Sequence, residues 1–202
     1  MQTDAAAPPT PFAESTPLGL LGLAIGCAAL TPVAFGVALT PAALHTAAMF
    51  CLLFGGGGQF LAGVMALANK NLLGGTLFTT FSFNWVINWW VLGELSQGRV
   101  PDGSITVAVD VCFLVIFVVL TFAFGYFSKI LVLFLADIDL LYALRIARVL
   151  APVPALGTAV AVCTVLLAAI ALWIAFALLV NPSAGRVIFP IPGPLFKAAP
   201  PP

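Results

Sequence analysis

Between Pro17 and Val180 the chain divides into six apolar runs of about twenty residues or more. Short breaks rich in proline, glycine, asparagine and serine separate them. An α-helix rises about 1.5 Å per residue, so about twenty residues cross the ~30 Å hydrocarbon core of a bilayer. Lipid offers no partner to a backbone N–H or C=O, and a helix satisfies both internally. The runs therefore predict an all-α integral membrane protein, with six transmembrane helices forming a bundle. The expected spans are 17–39, 43–68, 73–95, 105–126, 130–150 and 156–180. They make residues 17–180 the transmembrane domain, between a mobile N-terminal tail (1–16) and a Pro-rich C-terminal tail (181–202). Pro32 predicts a kink in the first helix, because proline removes a helical hydrogen bond.

Composition excludes several alternatives. Of 202 residues, 62% are hydrophobic and 7% charged, whereas a soluble domain has about 25% charged residues to cover its surface. The formal net charge is zero, which argues against a nucleic-acid partner. Cys27, Cys51, Cys112 and Cys163 each lie inside an apolar run, with no metal-site or redox spacing, and read as small buried hydrophobes. No nucleophile–base arrangement, phosphate loop or metal-ligand motif is present, so neither an enzyme, a metal site nor a cofactor is predicted.

The informative residues are the polar ones inside the runs. Gln59 has Gly55, Gly56, Ala62 and Gly63 as its helical neighbours, a face with almost no side chains that lets another backbone approach closely. In the third run Thr76, Thr80, Asn84 and Asn88 recur every four residues and form one polar stripe, with Phe81 and Trp85 beside it. An unpaired polar group in hydrocarbon costs several kcal/mol, so the stripe is expected to line a narrow passage. Asp137 and Asp139, in the middle of the fifth run, are candidates for a proton relay. They stand about 200° apart on the helix and cannot act as one carboxylate pair. Asp110 is expected at the interface, His45 in solvent, and Arg145 and Arg148 either snorkelling at the end of the fifth helix or neutralising its C-terminus. Six spans place both termini on one side. Lys70, Lys129, Arg186 and Lys197 against Arg99, Arg145 and Arg148 favour the cytoplasmic side for them.

Three patches carry a resemblance. TPLGLLG from Thr16 resembles the NPxPLGL signature of the acetate uptake transporter family, also called succinate–acetate permeases. GGGGQFLAG from Gly55 is similar to that family's second-helix motif. Asn71, Gly74, Thr76, Phe78 and Trp85 are similar to its third helix, and the tail GRVIFPIPGP to its C-terminal end. The resemblance implies a six-helix protomer with its own pore for acetate and similar small monocarboxylates. It also implies a homo-oligomer, a hexamer, in the plasma (inner) membrane. By position it assigns Leu23 and Phe81, with Trp85, to an apolar constriction. Gln59, Asn71 and Trp85 match the family directly. The chain departs from the pattern at Glu14 and Ser15, at Ala66, at Phe81 (a tyrosine in the family) and at Asn84, which makes the expected constriction less aromatic and richer in amide.

The function so predicted is a channel-like or proton-linked conduit for acetate-sized carboxylates, with the lipid bilayer and the carboxylate as partners. Two other readings share the polar stripe: a pore for a small neutral solute such as urea, an amide or ammonia, and a non-transporting structural or accessory subunit in which Asn84 and Asn88 join helices.

Overall fold

The computed structural model describes residues 11–151 and 153–197. Most of the predicted N-terminal tail, and residues 198–202 of the C-terminal tail, lie outside the described residues. Six helical rods account for nearly all the rest: α1 Thr16–Ala34, α2 Pro41–Ala68, α3 Leu72–Ser96, α4 Gly103–Phe124, α5 Lys129–Leu150 and α6 Pro154–Ala184. On length and composition α1, α2, α4 and α6 are each apolar enough to cross a membrane. The other two are comparably long, 25 and 22 residues, but carry the buried polar and charged side chains that dilute their hydrophobicity.

Local chemistry sets the helix ends. The Thr40 hydroxyl accepts from the Ala43 N–H (3.2 Å) ahead of Pro41 at the first position of α2. The Asn71 side chain accepts from the Gly74 N–H (3.0 Å) at the start of α3. Asp102 caps α4 by accepting from Ser104 and Ile105. The Ser104 hydroxyl and these backbone N–H groups hold its carboxyl below the usual carboxylate range. Pro32 falls in the last turn of α1, and the chain leaves the helix through Gly36, whose φ of 73° lies in the left-handed region.

Within α2, residues Cys51–Gly58 form a π-helical stretch. Its sequence, CLLFGGGG, ends in four residues without side chains, where widening of the backbone meets little resistance. This stretch permits close helix approaches. Gly22 of α1 faces the Phe54 carbonyl oxygen, 2.5 Å from where a Cβ would stand. The Trp85 indole from α3 lies between Gly55 of α2 and Gly26 of α1.

The packing order follows. α2 sits on α1 and α3, α1 on α6, α6 on α5, and α5 on α4, while α3 and α4 barely touch. The core is one apolar cluster drawn from all six helices, including Leu23, Phe81, Trp85, Phe117, Leu135 and Ile138. After α6 the chain folds back. The Asn181 side chain brackets Ile188 and Phe189 through three hydrogen bonds of 2.8–3.0 Å. Trp173 donates to the Pro190 carbonyl (3.1 Å), and the Ser128 hydroxyl to that of Pro192 (2.6 Å). The tail thus ties α6 to the turn between α4 and α5.

Candidate functional site

Two chambers lie along the bundle interior, at opposite ends. The first, about 370 Å³, is lined by Thr16 and Leu20 of α1, Asn71 just before α3 and Phe78 within it, Leu131 and Phe134 of α5, and Ile174 of α6. The second, about 210 Å³, is lined by Cys27 of α1, Asn84 and Asn88 of α3, Tyr142 and Arg145 of α5, and Thr164 and Leu167 of α6. Helices α1, α3 and α5 run from the first chamber to the second, and α6 runs back.

The gap between the chambers is similar on three helices. Leu20 and Cys27 on α1, Phe134 and Leu141 on α5, and Leu167 and Ile174 on α6 are each seven residues apart. Seven residues are two helical turns, about 10 Å. Apolar side chains seal the gap: Leu23, Leu135, Ile138 and Ala171 are 0% exposed, with the carboxyl of Asp137, 8% exposed, beside them on α5. Phe81 reaches in from α3 and meets the Phe117 ring edge-on at 5.1 Å. The interior is therefore polar at one end, largely apolar at the other, and closed by an apolar neck.

The sequence-predicted residues do not all share one surface. Asn84, Asn88, Phe81 and Trp85 come together in the second chamber. Thr80 faces an outer groove of about 560 Å³ between α3 and α4, and Cys112 lines the same groove. Cys112 is exposed, unlike the other three cysteines, because α4 turns that face away from the core. Thr76 is half-buried and lines neither chamber nor that outer groove. Gln59 is 1% exposed, and its Oε1 has no partner. Leu23 sits in the neck. Asp137 is buried with one oxygen unpartnered, on the face of α5 that leads into the second chamber. Asp139 points instead to α4, where it accepts from the Thr121 hydroxyl (2.7 Å).

Asp110 is 3% exposed and pairs with Arg145 through two contacts, of 3.1 Å to Nε and 3.0 Å to Nη2. Arg145 does not snorkel outward. It crosses to α4, with its guanidinium 5.4 Å from the Tyr142 ring centroid, and it lines the second chamber together with Arg148. Asp110 draws it inward, since a buried carboxylate is tolerated only when paired. Spacing could have revealed this. Asp137, Leu141, Arg145 and Arg148 fall at i, i+4, i+8 and i+11, one face of a helix.

Replacing Asp110 by alanine leaves Arg145 without its partner. The expected cost is about 3 kcal/mol, read as a lowered thermal midpoint in detergent. Asp110→Asn, which keeps an acceptor, is expected to lose clearly less. Equal midpoints for the alanine variant and the wild type would show that the pair carries no stability.

No family model matches the sequence, and no curated protein matches it. Among solved structures the chain is similar to the bacterial acetate channel SatP, with a TM-score of 0.79 at 22% sequence identity. The likeness covers 89% of this chain and 99% of that one. The resemblance read from the three sequence patches is met at the level of the fold.

Proposed function

We propose that this integral membrane protein is a channel of the acetate uptake transporter family, carrying acetate and similar small monocarboxylates through the interior of each protomer. The observation that carries the reading is the pair of chambers on either side of a two-turn apolar neck. Such a constriction passes a small solute that sheds its water and holds back larger or strongly hydrated ions. Amide and guanidinium donors in the second chamber replace part of the hydration shell of a carboxylate. A bare charge in the neck costs several kcal/mol, so the neutral acid crosses more readily than the anion. Asp137, buried on the face of α5 between neck and chamber, is the group placed to exchange a proton with the solute. Asp139, turned toward α4, is not. The proposal includes a homo-oligomer, hexameric as the resemblance implies, in the plasma membrane with both termini cytoplasmic.

Uptake of labelled acetate into proteoliposomes, with and without an inward-acid pH gradient, tests this. Saturable uptake that the gradient accelerates is expected. A folded, inserted protein that passes acetamide or urea but ignores acetate and external pH would instead establish a neutral-solute pore, to which Asn84 and Asn88 are also suited. Absence of all three fluxes would leave the non-transporting subunit.

A further inference from the structure

We infer that the second chamber is a binding site for the ionised carboxylate, built by two arginines and two orphaned donors, so that the anion is captured at this mouth before it meets the neck. The inference rests on the carboxylate reading above and adds where the anion binds and through which atoms.

The chamber is lined by hydrogen-bond donors. Trp85 is 2% exposed, and its Nε1–H, which can only donate, has no partner. Tyr142 is 0% exposed, and its hydroxyl also has no partner. Both residues line the chamber. Buried donors are ordinarily satisfied, and leaving one unmade costs about 1–3 kcal/mol, so two unsatisfied donors, each covered in this structure but carried by side chains of one cavity wall, point to an accepting ligand that those side chains turn to meet. Asn84 and Asn88 add carboxamide N–H groups from α3.

Charge sets the class of ligand. Two guanidiniums, Arg145 and Arg148, stand against one carboxylate, Asp110. Asp110 engages Nε and Nη2 of Arg145, leaving Nη1 uncommitted to that pair. No carboxylate pairs with Arg148 among the described residues. The chamber wall therefore presents one guanidinium without a carboxylate partner, with Asp137 set back toward the neck, while Leu30, Leu141 and Leu167 supply apolar wall. A small acid with a short apolar end fits that division. A dicarboxylate or a phosphate would bring a second charge to a cavity with only one uncompensated guanidinium. Asp110 acts as a positioning residue, since it fixes the Arg145 fork in the chamber wall and touches no solute itself.

The test separates binding from passage. In a variant keeping Trp85 as its sole tryptophan, with phenylalanine at positions 89, 90 and 173, acetate should change the indole emission saturably. Acetamide, its neutral isostere, should not. In reconstituted vesicles Arg148→Glu should raise the KM for acetate about tenfold, Arg148→Gln less, and both effects should shrink at high salt. If acetate and acetamide act alike on Trp85, and Arg148→Glu keeps its KM within about twofold of wild type, the charged site is overturned while the conduit stands. If acetate binds beside Trp85 yet no carboxylate crosses, the site stands and the conduit reading falls.

Discussion

Leu23→Trp is expected to cut acetate flux through each folded protomer about tenfold or more, the largest effect on transport predicted for any single change. Leu23 is fully buried in the neck, one turn from Leu20 in the first chamber and one turn from Cys27 in the second. An indole there has nowhere to go but the gap, because Phe81 and Phe117 already fill the opposite wall. The reverse change should do the reverse. Leu23→Ala removes side-chain volume at the narrowest level, so flux should rise and longer carboxylates should begin to pass. The measurement is initial uptake of acetate and of butyrate in vesicles with matched protein content. Wild-type flux in Leu23→Trp, with assembly intact, would move the path away from this neck.

The largest effect on folding is expected at Gly55. A Cβ at this position would overlap the Trp85 indole, and the indole cannot retreat, since a Cβ at Gly26 on its far side would stand only 2.8 Å from it. Gly55→Ala therefore forces helix α2 away from α3, or Trp85 out of its slot. Overpacking of this kind costs about 1–3 kcal/mol, and a loss of roughly 5 °C or more in thermal midpoint is expected in detergent. Two controls make the result specific. Gly93→Ala, in the last turn of α3 with open space around its Cβ, should be neutral or slightly stabilising. Adding Trp85→Leu to Gly55→Ala should recover part of the loss, because the two changes share one contact. A Gly55→Ala protein as stable as Gly93→Ala would mean the slot is not tight.

The spans were legible because length and apolarity suffice to name a transmembrane helix. Helix ends were legible where a cap was present, as at Asn71 and Asp102. The end of α1 was not, since apolar residues 35–39 continue past Pro32 and hydropathy does not register a missing N–H. The π-helical stretch of α2 also left no periodic signal, as a run of glycines has no face to compare.

The site was legible in part, for a similar reason. Four-residue spacing correctly grouped Asn84 with Asn88, but it drifts around the helix, and by Thr80 the stripe has turned to the outer groove. Arg145 was misplaced because a positive side chain near a helix end ordinarily reaches for the headgroups. Only the partner on another helix, Asp110, reverses that choice, and the pairing joins residues 35 apart in the chain.

The central claim is that the two interior chambers are the route across the membrane, and labelling from each side tests it most directly. In a cysteine-free protein that still carries acetate, Asn88→Cys and Leu131→Cys place one thiol in each chamber. A membrane-impermeant thiol reagent is expected to modify Asn88→Cys from one side only and Leu131→Cys from the other only, and each modification should stop acetate flux. Thiols that react from neither side, or that react fully while flux continues unchanged, would contradict the account.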